Sequence, residues 1–212
     1  MAKKKTGKSI RRKAGVMGRS DIPYAKRIRI QQHSDIAVNR EHSAKITLYC
    51  MSVAMHEIKG IGYKRLVRFS QRYKEYENEF YLDIELGMAH AKSRMDQMGM
   101  PISGEFFKEK VDGLTRRKQE VHDNALQAIQ VALTIGAIAM NDEFGFGQEV
   151  QTKISERVTE LSDRYSKEGE KFLLEKMAKI GFPVINGTVM AYTDEDGNAV
   201  LPSKAQERRN EP

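Results

Sequence analysis

Lys3, Lys4, Lys5, Lys8, Arg11, Arg12 and Lys13 place seven cations in the first thirteen residues. The chemistry open to such a segment is electrostatic. Residues 1–40 hold twelve Lys/Arg against Asp21 and Asp35, a net of +10, while the rest of the 212-residue chain carries a net of −3. Cations at this density release counterions from a polyanion, so binding is strong at low salt and weak at high salt. Base stacking is poorly provided for, because Tyr24 is the only aromatic residue in residues 1–40. The same charge would serve an arm that docks on an acidic protein surface, or one that only solubilises.

Residues that could do bond-making chemistry do not assemble in the sequence. His33, His42, His56, His90 and His122 are scattered, and none has metal-ligand spacing with a carboxylate or Cys50. His56 and Glu57 are adjacent, and neighbours on a helix point roughly 100° apart. Asp83, Glu85 and His90 read as a solvated helix face. Asp194-Glu195-Asp196-Gly197-Asn198 places its glycine too early for a calcium loop and lacks the closing Glu. Asn186-Gly187-Thr188 is a glycosylation sequon by pattern alone. With no nucleotide-binding or nucleophile motif, the expectation is a non-enzyme with no cofactor and no metal. A single cysteine, Cys50, forbids an intrachain disulfide and fits a buried thiol in a reducing cytosol. The longest apolar run, Val131 to Met140, is too short to span a bilayer, and no apolar stretch follows the basic N-terminus, so neither a membrane partner nor a leader is expected.

The elements that must position these charges follow from hydrophobic spacing. Residues 1–40 read as a flexible basic arm, with Lys26-Arg27-Ile28-Arg29-Ile30 extended after Pro23. Helical periodicity begins near Ser43, where Ile46, Tyr49, Cys50, Val53, Ala54 and Ile58 draw one apolar stripe. Gly60-Ile61-Gly62 turns the chain into a helix from Tyr63 to about Tyr76, with Leu66, Phe69 and Tyr73 inward. On that helix Arg65, Arg68 and Arg72 fall at i, i+3 and i+7, which makes one basic face. A third helix spans Glu79 to Met98 and stops at Gly99 and Pro101.

The pattern then returns. Ala54-Met55-His56-Glu57-Ile58-Lys59-Gly60-Ile61-Gly62 recurs 85 positions on as Ala139-Met140-Asn141-Asp142-Glu143-Phe144-Gly145-Phe146-Gly147, and Met98-Gly99-Met100-Pro101-Ile102 recurs 82 on as Ile180-Gly181-Phe182-Pro183-Val184. The second set reads as helices from about Leu114 to Asn141, through Val150 to Leu161, and from about Arg164 to Ile180. The expected fold is mainly α: a tandem duplication of a three-helix unit packed as one domain, because a lone triplet cannot bury its stripe. Its parts are a basic arm (1–40), a first repeat (41–113), a second repeat (114–185) and a β-hairpin with a tail (186–212), the hairpin turning at Asp196-Gly197.

The stretch Ile58-Lys59-Gly60-Ile61-Gly62-Tyr63-Lys64 resembles the helix-hairpin-helix DNA-binding motif in its Gly-hydrophobic-Gly core and following lysine. The resemblance covers about 15 residues. It implies non-specific phosphate binding by Gly60, Gly62 and Lys64, with backbone N–H groups and the helix dipole facing the anion. It departs in carrying Ile58-Lys59 where Leu-Pro is usual, and the second turn, flanked by Asp142-Glu143 and Gln148-Glu149, would repel phosphate. The two glycine phrases are also similar to small helical proteins of phages and mobile elements of Gram-positive bacteria, over roughly 41–100 and 126–185; that implies a bacterial host cytosol and no particular activity. The expected function is duplex DNA binding, weak in sequence specificity, through the arm and the first turn. The alternative is a module that binds a host protein through Asp142, Glu143, Phe144 and Phe146; self-association into a homo-oligomer and an enzyme site between the repeats are also compatible with the pattern.

Overall fold

The computed structural model describes residues 24–100, 113–194, 196 and 198–202, with the side chains of the first helix described from Asp35 onward. Among the described residues there are six helices: α1 (Tyr24–Lys59), α2 (Tyr63–Leu82), α3 (Ile84–Gln97), α4 (Arg116–Phe144), α5 (Gln148–Glu168) and α6 (Glu170–Ile180). The strands β1 (Val184–Ile185) and β2 (Thr188–Val189) follow as an antiparallel pair.

Several boundaries differ from those read in the sequence, and each difference has a local cause. Lys26 to Ile30 is helical rather than extended, because Pro23 stands just before the first turn of α1, where a missing N–H costs nothing. Residues 24–40 are therefore helix, and the part of the arm before them lies outside the described residues. The second helix runs on to Leu82, and the break falls at Asp83, whose carboxylate caps α3 by accepting from the Leu86 N–H at 3.1 Å. The strand pair turns at Asn186-Gly187, both left-handed (φ 50° and 75°), as a two-residue hairpin requires. At the expected Asp-Gly hairpin the described residues form an antiparallel Thr193–Ala199 bridge, with the Val200 N–H donating to the Tyr192 carbonyl at 2.8 Å and the Asp194 N–H to the Asn198 carbonyl at 2.9 Å.

α1 and α4 run side by side in the same direction. Asp35, a third of the way along α1, pairs with Arg117 at the start of α4, and Met51 lies against Gly136 further along. α1 then packs on α5 and α6, while α4 packs on α2 and α3, so each long helix is covered by the short helices of the other half. One core cluster joins both halves through Met51, Met55, Leu66, Phe69, Ile135, Ile154, Leu161 and Leu173, all at 2% exposure or less. The predicted stripe of α1 is buried except for the half-buried Ile58, and Val131, Ile135 and Ile138 are buried in the second half of α4. Burial pushes the Cys50 thiol up to about 12, so it is not a nucleophile at neutral pH.

Candidate nucleic-acid interface

The first glycine turn is built by the end of α1. Gly60 is left-handed (φ +63°) and its N–H donates to the His56 carbonyl at 2.8 Å. His56 Nδ1 then donates to the Ile61 carbonyl at 3.1 Å, and the Ile61 side chain plugs the turn into the core. Gly62 is extended (φ −86°, ψ 174°) and opens α2 with no side-chain cap. The second turn repeats this geometry. Gly145 (φ +67°) donates to the Asn141 carbonyl at 2.7 Å, Asn141 Nδ2 donates to the Phe146 carbonyl at 3.2 Å, and Gly147 opens α5 uncapped. His56 and Asn141 thus brace equivalent turns, a shared role that their different chemistry hides in the sequence. Only the left-handed glycine is demanded by the backbone. Gly60→Ala should cost about 1–2 kcal/mol in urea unfolding, whereas Gly62→Ala should cost roughly 0.5 kcal/mol or less, since lost capping and a stiffer unfolded chain offset one another.

The cations around this turn divide into two groups. Lys59 and Lys64 are exposed at the mouth of the turn. Arg65, Arg68 and Arg72 are also exposed, but each is engaged within the chain. Arg65 lies over the Phe144 ring (4.9 Å to its centroid), Arg68 pairs with Glu143 at 2.9 Å, and Arg72 pairs with Glu75 at 2.8 Å. The basic face of α2 is therefore partly neutralised by the acidic end of α4. The same contacts occupy the residues expected to receive a host protein: Asp142 accepts from Tyr76 and Arg94, and Phe146 packs on Phe144.

A second basic region is not evident from the sequence. Because α1 and α4 are parallel, their N-termini point the same way, with Tyr24 roughly 16 Å further along than Asp35, which meets the start of α4, and neither helix has an acid in its first turn. α1 opens with Lys26, Arg27 and Arg29, and α4 opens with exposed Arg116, Arg117 and Lys118, of which Arg117 is already paired with Asp35. Two helix dipoles add to the positive charge there. The chain segment bearing Lys3, Lys4, Lys5, Lys8, Arg11, Arg12 and Lys13 lies outside the described residues and joins the fold at this end. Thirty-six helical residues separate it from Gly60, roughly 54 Å. The arm's root and the glycine turn are at opposite ends of α1, so they do not form one local surface. A run of Arg116-Arg117-Lys118 behind the capping residue Thr115 could have revealed the basic end, had the parallel pairing of the two long helices been legible.

Compared with protein-family models, curated proteins and solved structures, this chain matches none.

Charged clusters at the far ends of α1 and α4 hold the halves together. Glu57 accepts from Arg157 at 2.7 Å and from Lys176 at 2.6 Å, and Asp142 takes Arg94 from α3 as Glu57 takes Lys176 from α6. Partial burial opposes ionisation of Glu57, but the two cations outweigh it and hold the carboxyl below its ordinary value of 4.5. The sign follows from linkage. Glu57's contribution is complete above that ordinary value and is lost as the pH falls through the lower folded one. Glu57→Gln should flatten the acid limb of stability against pH, measured by urea midpoints between about pH 3 and 6.

The other polar recess between the halves holds His42, whose Nε2 meets the Tyr165 hydroxyl at 2.8 Å, beside Asp163 and the inert Cys50 thiol. No group of three or more His, Cys, Asp or Glu suited to a metal ion occurs among the described residues. Nor is any described helix long and apolar enough to cross a membrane.

Proposed function

We propose that this chain is a non-enzymatic nucleic-acid-binding protein, with duplex DNA of little sequence preference as its ligand. Its main grip is the basic arm together with the first turns of α1 and α4. Lys59, Lys64 and the open α2 N-terminus at Gly62 form a second, weaker contact. The observation that carries this reading is the parallel pairing of α1 and α4, which sets Arg116, Arg117 and Lys118 beside the N-terminal third of α1, from which Lys26, Arg27, Arg29 and the arm extend. Cations without base-stacking aromatics suit phosphate contacts, which fix affinity without reading sequence. The two halves are read as diverged copies of one three-helix unit, supported by their matched turns and acid-centred ion pairs. A phage or mobile-element accessory role in a bacterial cytosol is the setting that fits the sequence resemblance.

The test compares two variants in duplex titrations. Arg116→Ala/Arg117→Ala/Lys118→Ala should lower the salt slope by about 1 for each phosphate no longer neutralised, and should weaken binding more than Lys59→Ala/Lys64→Ala. The reverse order would move the interface to the glycine turn. A protein-binding role is the second reading. It is favoured by one observation, an exposed apolar groove on the face formed by α2 and α3.

A further inference from the structure

α6 covers α1 with buried Phe172 and Leu173, whereas α3 covers α4 with exposed His90 and the small Ala91 at the matching places. The smaller side chains leave a groove of about 460 Å³ between α2, α3 and α4, floored by Phe80, Ala91, Ile135 and Ile138. Beside it stand Leu82, Ile84 and Leu86, which are 86%, 53% and 52% exposed. A clustered apolar surface of this kind marks an interaction site.

The charges that line the groove are of both signs. Glu79 and Asp83 come from the end of α2, and His90 and Arg94 from α3. Arg94 is paired with Asp142, and Asp83 caps α3 through the Leu86 N–H. A partner of uniform charge would meet repulsion on part of this lining, whereas a second copy of the chain carries both signs itself. The outer face of α3 is ordered in the same way. Leu86, Ala89 and Ser93 recur at i, i+3 and i+7, all exposed, on the side opposite buried Ala91 and Met95. Glu85 and Lys92 flank one edge of that stripe. Both are exposed, and neither has an ion-pair partner among the described residues.

We propose that this face is the interface of a two-fold dimer, in which α3 lies antiparallel to α3 of a second copy. An axis beside Gly87 and Met88 sets Leu86 of each copy opposite Ala89 of the other, so a large side chain meets a small one and the helices interdigitate. Leu82, just before the helix, then meets Ser93 of the second copy at the mouth of the groove. In an antiparallel pair, residues flanking the same edge face each other. Glu85 therefore meets Lys92 of the second copy, and on the other edge Asp83 falls opposite His90. Each contact occurs twice, as an isologous interface requires. A parallel pairing would instead set Glu85 against Glu85 and Lys92 against Lys92, which like-charge repulsion disfavours. The dimer does not depend on nucleic-acid binding.

The test is sedimentation velocity of the full chain across a range of concentrations, where a dimer in exchange with monomer is the expected result. Leu86→Lys, at an exposed position, should leave a monomer with an unchanged circular dichroism spectrum. Glu85→Lys and Lys92→Glu should each weaken self-association about tenfold, because each sets like charges opposite one another twice. An equal mixture of those two variants should dimerise as well as the parent chain, since the changed side chain of each then faces an opposite charge in the other. A dimer indifferent to Leu86→Lys, or a mixture that recovers nothing, would overturn the pairing. So would a chain that stays monomeric at every concentration, and that result would leave the groove to a different protein.

Discussion

Removing residues 1–23 should weaken duplex DNA binding about a hundredfold or more at low salt and flatten its salt dependence. The segment carries Lys3, Lys4, Lys5, Lys8, Arg11, Arg12, Lys13 and Arg19, eight of the chain's 36 basic side chains. For each phosphate they neutralise, log K falls by about 0.9 per decade of salt. All eight bound would give the arm a larger share than the six cations in the first turns of α1 and α4. Fluorescence anisotropy of a labelled duplex against the full and shortened chains, each at two salt concentrations, measures both quantities. An unchanged affinity would assign binding to the helices alone. A steep slope in the full chain that vanishes in the shortened one would assign it to the arm.

Phe69→Ala should be among the most damaging single substitutions in the fold, costing about 3–5 kcal/mol. Phe69 is completely buried, its ring centroid 6.4 Å from Phe144 and 6.4 Å from Tyr73. It joins α2 of the first half to the end of α4 in the second, so truncation opens a cavity where the halves meet. Phe144 also carries the Arg65 guanidinium on its ring, so the damage extends to the cation arrangement at the first turn. Folded proteins are stable by only about 5–15 kcal/mol, and the loss should appear as a large drop in urea midpoint. Ile154→Ala, at the matching place in the second half and equally buried, should cost about 2–5 kcal/mol.

Periodicity makes most of the fold legible. The stripes through Ile46, Tyr49, Cys50 and Val53, through Leu66, Phe69 and Tyr73, and through Ile154, Val158 and Leu161 are buried as their spacing requires. Gly60, Gly99, Gly145 and Gly181, which read as stops, are all left-handed where helices end. Where local chemistry competes with pattern, the sequence is a poorer guide. Asn186-Gly187 has the pattern of a sequon and is the turn of the β1–β2 hairpin, while the residues flanking Asp196-Gly197 are joined by an antiparallel bridge between Thr193 and Ala199. Asp83 sits inside an apparently continuous helical pattern and ends it by capping α3.

The candidate site is less legible for a different reason. Arg65, Arg68 and Arg72 have the spacing of a basic face, but spacing says nothing of Phe144 and Glu143 arriving from α4. The placing of Arg116, Arg117 and Lys118 beside the N-terminal third of α1 depends on two long helices running parallel, which one sequence does not encode locally. The groove beside His90 and Ala91 emerges only when α3 and α6 are compared as packed bodies.

The most direct test of nucleic-acid binding is a titration of labelled duplex DNA with the full chain across a salt series, with no variant needed. Tight binding at low salt, with log K falling linearly against log salt at a slope of several units, is the expected result. No binding at low salt, despite a net of +10 in residues 1–40, would contradict the account.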